Sequence, residues 1–430
     1  MAAHNSCMAA HNSLAPQYPL TLKYKETLLF DRTLKNLEII FRLAGIDIIR
    51  SRDAKASDHF KSRCIFILNF LCANIGLMSC ISWCVDSAVT GKDSSGIISS
   101  APSINVSILA QFKSIFLIAN RNNARNLIDT LRKLEIKQKQ RKQSQEKDKM
   151  IKEDFAFLHF ALMTLNILYV SLIVTFATSP LLITAVTYYK TKEVELELPF
   201  LVLYPFDPFQ IKIYPFVYFH LFWAECVVSL DICSADYFFF TCCTYIRIQF
   251  RLLQHDLENI IPSDNNSNKK FIEDQEFRNS FKELIKWHQD LIESANILEI
   301  IYSKSTLLNF LSSSLIICLT GFNVTMVDDA AFVVTFLSFL FMSLVQVFFL
   351  CFFADLLTTS SMEVSNAVYN SKWYMAEPKI GKKLLLVQTR SQEPCKLTAS
   401  GFADVSLNSF MRVLSTAWSY FALLQTMYGN

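Results

Sequence analysis

The sequence predicts an all-α, polytopic membrane protein with seven transmembrane helices, a cytoplasmic N-terminus, an extracellular C-terminus and further helical segments on the cytoplasmic side. Three observations carry this expectation. Hydrophobic residues make up 52% of the 430 and charged residues 18%, where ordinary soluble domains hold about 25% charged. The apolar residues gather into runs longer than soluble helices need. Lysine and arginine collect in alternate loops, which orients the chain. The net charge of +3 says little beside that distribution.

Residues 1–63 form a polar to amphipathic N-terminal segment. They lack a cleavable-looking signal peptide, and the tandem MAAHNSC-MAAHNS reads as a duplicated start without structural meaning. Leu34, Leu37, Ile40, Phe41 and Ala44 are spaced for a helix lying on a surface. Cys64–Val85 runs 22 residues without a charge and is the first span. A second, from Gly96 to Ala119, is diluted by Ser and Asn and contains Lys113. Asn120–Asp154 is strongly basic, and Leu127, Ile128, Leu131 and Leu134 extend a helix into it.

Phe155–Tyr189 is free of charge for 35 residues. At 1.5 Å per residue it outruns a bilayer core of about 30 Å, so one projecting span, kinked at Pro180, is expected. The loop 190–214 is punctuated by proline, yet its LPFLVLYPFD is too apolar for a solvated strand of chain. Pro215–Ile246 is the fourth span. Residues 64–246 thus hold four spans.

Segment 247–304 is polar, but Phe277, Phe281, Leu284, Ile285, His288, Leu291, Ile292, Ala295, Leu298 and Tyr302 keep a 3.6-residue period, an amphipathic helix facing protein. Residues 305–354 carry two spans separated by Asp328 and Asp329. A charged segment, 355–401, precedes a terminal helix within 402–430. There Thr416, Tyr420, Leu423 and Met427 recur at steps of four, three and four on one stripe. Such a stripe suits packing on neighbouring helices, contact with copies of the chain, or the lining of a path.

Residues 1–63, 120–154, 241–304 and 356–401 hold ten, eleven, eight and six Lys or Arg, whereas the intervening loops hold one, three and none. This puts the N-terminus inside, the inverse of rhodopsin-like receptors. The sequons at Asn105 and Asn323 then fall outside or at the outer rim and are candidates for glycosylation, while Asn265 stays inside.

Chemistry-bearing motifs are sparse. Ten of twelve cysteines fall in or beside apolar runs, and no Cys-x-x-Cys occurs. His159 and His288 lack partners at metal spacing. No catalytic triad, paired carboxylate or phosphate loop stands out, which argues against an enzyme, a cofactor, a metal site or nucleic-acid binding. Glu225, Asp231 and Asp236 lie within the fourth span, where charge is costly. Pairing with Lys113 or exposure to a water-filled vestibule relieves that cost.

The run from Gln346 through FFLCFFADLLTTSS to Ser365-Asn366-Ala367-Val368-Tyr369 and Trp373 resembles the end of helix six of insect odorant receptors. So do KKLLLVQTRSQEP with Leu397, Ala399 and Gly401, and the terminal SLNSFMRVLSTAWSYFALL. The loop LPFLVLYPFDPF resembles their second outer loop, particularly in moths. The short 247–304 loop lacks the co-receptor's long insertion. The resemblance implies the odorant-binding subunit of a ligand-gated, nonselective cation channel in the membrane of olfactory sensory neuron dendrites. Its partners would be the co-receptor, in a tetramer around one pore, a small volatile hydrophobic molecule, and membrane lipid.

It further implies pore positions at Thr416, Tyr420, Leu423, Thr426 and Met427, with Leu423 and Met427 as an apolar gate. Segments 274–302 and about 363–400 would form the cytoplasmic anchor where subunits meet. The family's pocket lies among helices two, three, four and six, which implies Ile108 and Phe112, Val174 and Thr178, Phe216, Phe219, His220 and Trp223, and Phe332, Phe336 and Phe339. A gustatory-type receptor is the nearest alternative. A secondary transporter is a further one, but it requires internal repeats, and none is visible.

Overall fold

A computed structural model describes residues 28–49, 56–91, 94–141, 144–261, 274–326 and 330–428. The N-terminal tandem and the acidic pair Asp328–Asp329 lie outside them. The described residues form ten α-helices: α1 (Leu29–Ala44), α2 (Ala56–Thr90), α3 (Ser94–Ala119), α4 (Arg121–Gln140), α5 (Gln145–Thr191), α6 (Tyr214–Glu258), α7 (Gln275–Met326), α8 (Ala330–Asn370), α9 (Pro378–Ser391) and α10 (Leu407–Tyr428). The fold is all-α. Six of these helices, α2, α3, α5, α6, α7 and α8, are long and apolar enough to cross a membrane. The terminal α10 has 22 residues, about 33 Å, which is long enough. Its Ser, Thr, Gln and Tyr residues and Arg412 dilute its hydropathy, and it is not among the six.

The membrane-crossing stretches are parts of longer rods. The 47 residues of α5 and the 52 of α7 extend about 70 and 78 Å. No breaker divides apolar from polar halves, so one helix continues through both. The bundle consequently has two ends. One carries the 192–213 loop and is called here the loop end. The other, the basic end, gathers α1, α4, α9 and the charged halves of α5, α6, α7 and α8.

At the basic end the amphipathic faces are consumed within the chain. Leu127, Ile128, Leu131 and Leu134 of α4 are buried, as are Phe277, Phe281, Leu284, His288, Leu291, Ala295, Leu298 and Tyr302 of α7. Between α3 and α4 the expected continuous helix breaks at Asn120. The α1 stripe differs from expectation too. Phe30, Leu34, Leu37, Phe41 and Ala44 are buried against protein, with Phe30 at 4.3 Å from the Tyr245 ring and Phe41 at 6.2 Å from Phe238. An apolar stripe meets a protein core as readily as a bilayer surface, so periodicity alone does not separate them.

Helix ends are fastened by distant side chains. The first amides of α1, Leu29 and Phe30, donate to the two Glu135 carboxylate oxygens at 2.7 and 3.1 Å, which satisfies orphan donors and opposes the helix dipole. Burial pushes the Glu135 carboxyl up, and those amides pull it back. At the other end of α1, Gly45 has φ of 76° and lies so near α2 that a Cβ would fall 2.3 Å from the Phe66 nitrogen. Only glycine fits there.

The loop before α10 is held to α7. Glu299 accepts from the Thr398 backbone amide at 2.7 Å and from its hydroxyl at 2.5 Å.

Candidate functional site

A cavity of about 420 Å³ lies at the loop end. Its walls are Ile98, Ser99, Ser100 and Ser103 of α3, Phe176, Ser179 and Pro180 of α5, Phe322, Asn323 and Met326 of α7, and Thr335 and Phe336 of α8. Cys80 of α2 closes one side, and residues 197–201 form the roof. The roof is tied down from below. Leu203 donates its amide to the Ser79 carbonyl at 3.0 Å, and Tyr214 donates its hydroxyl to the Glu197 carbonyl at 2.7 Å. Phe200 stacks on Phe176 at 5.4 Å. The apolar LPFLV sequence is explained by that role as a lid over a cavity.

Two prolines shape the walls. A proline inside a helix withdraws the amide that the carbonyl four residues earlier would accept from. Pro102 does so for Ile98 of α3 and Pro180 for Phe176 of α5. The Asn323 amide fills the first gap, donating to the Ile98 carbonyl at 3.2 Å. Asn323 is 2% exposed and is a cavity residue. Asn105 sits within α3 and donates to the Ser312 carbonyl at 3.3 Å. Both sequon asparagines thus donate across the seam between α3 and α7. The triplet motif says nothing of burial.

Of the eleven expected ligand positions, Phe336 lines this cavity. Phe339 lines a neighbouring space of about 40 Å³ and meets Phe176 edge-on at 6.2 Å. The side chain of Phe332 lies outside the described residues. The remainder do not line it. Val174 and Thr178 occupy the right turns of α5 but the wrong face, because Phe176 and Pro180, two residues further on, lie about 200° round the helix. Ile108 and Phe112 are exposed on α3.

On α6, Phe216, Phe219 and Trp223 point outward, Phe216 with 77% exposure. His220 points inward but is engaged, its ring nitrogens meeting the Tyr204 hydroxyl at 3.0 Å and the Cys72 carbonyl at 3.2 Å. It holds the lid segment to α2.

Two smaller spaces continue from the cavity toward the basic end. The first shares Cys80, Ser103 and Phe200 with it, and the second shares Glu225 and Val228 with the first. The second reaches Gln346, whose amide donates to Asp236 at 2.7 Å. The other Asp236 oxygen accepts from Lys113 at 2.6 Å, with both side chains at most 4% exposed. The intramembrane lysine and aspartate thus relieve each other's desolvation, the pairing that makes such burial tolerable. Asp231 has the Ser114 hydroxyl as a partner.

A further cavity of about 240 Å³ lies between α1, α5 and α6. Among the described residues no cluster of His, Cys, Asp or Glu has the geometry to hold a metal ion.

On α10, Val413 and Ala417 are buried, and Phe410 meets Phe348 of α8 at 5.6 Å. Thr416, Tyr420, Leu423, Thr426 and Met427 are all exposed. The terminal stripe faces away from its own bundle.

Comparison with known proteins places this architecture. The family model described as 7tm Odorant receptor matches residues 94–418. The Drosophila melanogaster odorant receptor sequence 92a is 25% identical over 410 residues, covering 94% of this chain and 97% of that one. Odorant receptor 67c of the same species is 28% identical over 341 residues, covering 77% and 80%. Among solved structures, the insect olfactory receptor OR5 from Machilis hrabei in complex with eugenol superposes with a TM-score of 0.76 at 18% identity, covering 94% of this chain and all of that one. A second structure of the same receptor gives 0.73 at 17% identity, covering 91% of this chain and 97% of that one.

Proposed function

The chain belongs to the insect odorant-receptor family, a family of receptor channels rather than enzymes, and on that premise we propose that it is the odorant-binding subunit of a heteromeric cation channel. The loop-end cavity is the ligand site. The observation that carries this is a roofed space of about 420 Å³ walled by α2, α3, α5, α7 and α8, the size and mixed lining of a small-molecule pocket. The OR5 receptor, which shares the fold, is described with eugenol bound, a molecule of the size class such a cavity admits.

The basic end faces the cytoplasm and the loop end faces outward, as the Lys and Arg distribution requires. The co-receptor completes a tetramer in the dendritic membrane. The α10 stripe, unused by its own bundle, then borders the pore, with Leu423 and Met427 (58% and 64% exposed) as an apolar gate that opens by rewetting. A single rod, α8, runs from the site to the first turn of the pore helix α10. Phe336 walls the cavity, Gln346 holds Asp236, and Phe348 presses on Phe410 of α10. A ligand that shifts Phe336 is thereby coupled to the pore helix through rigid structure.

The test is expression in oocytes with and without a co-receptor, recording current across an odorant panel. Current that needs both chains and an odorant is expected, and Met427→Ala alters leak or ion selectivity. Surface-expressed chain with a co-receptor that passes no odorant-evoked current would overturn the proposal.

A further inference from the structure

We propose that the ligands of this receptor are hydrogen-bond donors, small alcohols, phenols or amines, rather than esters, ethers or hydrocarbons. This rests on the loop-end cavity being the odorant site, and it comes from counting donors and acceptors on the walls. A buried polar group left unpaired costs more than a pair gains, so the lining selects the complement of what it displays.

The lining displays acceptors. Ser99 and Ser100, both lining residues, spend their hydrogens on the Gly96 carbonyl at 2.9 Å, which leaves their hydroxyl oxygens as acceptors, with the Cys84 thiol a second partner of Ser100. Asn323 commits an amide hydrogen to Ile98 and keeps its carbonyl oxygen. Pro180 gives the Phe176 carbonyl no amide to accept from. The one ionisable carboxyl among the described lining residues is Glu197 at the roof, which burial pushes up. No Lys, Arg, His, Tyr or Trp stands among the described residues of the lining, so the second amide hydrogen of Asn323 is the one fixed side-chain donor there, against several acceptors. The Ser103 and Ser179 hydroxyls turn either way. Phe176, Phe200 and Phe336 supply apolar faces for a ring or chain. A donor group on a molecule of roughly a dozen heavy atoms fits, at about 30 Å³ per water-sized unit.

The probes share one skeleton: benzyl alcohol, benzylamine, benzyl methyl ether and ethylbenzene. Each is applied to cells expressing the chain with a co-receptor, and in parallel to detergent-purified chain followed by thermal denaturation. The alcohol and amine should act at concentrations about three- to tenfold lower than the ether, the worth of one neutral hydrogen bond. Ser99→Ala with Ser100→Ala should erase that gap for the alcohol. Glu197→Gln should weaken the amine most, because a charge-assisted bond is about twice as strong, and its new N–H donors should favour the ether.

An ether as potent as the alcohol, or variants that lower all four probes by one factor, overturns the inference. Thermal stabilisation that ranks alcohol above ether without any current sustains the ligand class and removes the channel reading. Neither current nor ranking removes both.

Discussion

The two ends of the bundle are built from similar residues to opposite effect. At the basic end Phe238, Phe239, Phe240 and Phe250 are at most 1% exposed, and charges close around the packing. Asp154 receives Arg247 at 2.6 Å and Arg251 at 2.8 Å. Arg132 meets Asp31 at 2.6 Å, Lys147 pairs with Asp256, and Arg141 lies 4.4 Å above the Trp287 ring. At the loop end Phe176, Phe200, Phe322 and Phe336 surround open space instead. The lesson is a division of labour. Aromatic residues held by ion pairs make a rigid foundation, and aromatic residues held apart by a lid and two prolines make a chamber.

That division is tested by substitutions whose effects fall on stability at one end and on sensitivity at the other. The largest effect is expected for Lys113→Met, which strands Asp236 in the bundle at a cost of about 3–5 kcal/mol. Surface expression should collapse, and Lys113→Met with Asp236→Leu should restore most of it. A double variant as poor as the single would break the pairing argument. Asp154→Ala follows, at about 2 kcal/mol, because Arg247 and Arg251 remain partly solvated and the loss is screened. It should lower the thermal midpoint and leave odorant sensitivity unchanged.

Phe336→Ala should do the reverse. Removing a ring from the cavity wall raises the half-maximal odorant concentration roughly tenfold, about 1.4 kcal/mol, with permeation and expression intact. Smallest is Phe219→Ala, within about twofold on either readout, since its ring faces away from the bundle and burial gains energy only by removing apolar surface from water. A tenfold shift at Phe219 would move the site back to α6.

Much of the architecture could be read from the chain. Long charge-free runs marked the crossing helices, and the remedy for Asp236 was recognisable in Lys113. The terminal stripe at Thr416, Tyr420, Leu423 and Met427 was legible as a face, though not as an exposed one.

The cavity wall was much less legible, for a physical reason. Lipid is as apolar as a protein core, so the aromatic periodicity of Phe216, Phe219 and Trp223 carries no sign of which way it points. The readable signal lay elsewhere, in Ser99, Ser100 and Ser103 beside Pro102. These residues weaken α3 as a span, and polar groups at membrane depth default to function. Glu197 and Asn323 had no such pattern, because the lid and α7 reach the cavity only through the fold.

The prolines have a mechanical consequence. A helix bends most readily where a rung of its hydrogen-bond ladder is absent, and Pro102 and Pro180 place such joints in two walls of the same chamber. The α8 wall has no described proline and runs as a stiff strut toward α10. Pressure from an occupant is thus divided unequally: the yielding walls conform to its shape, while the strut carries the thrust away.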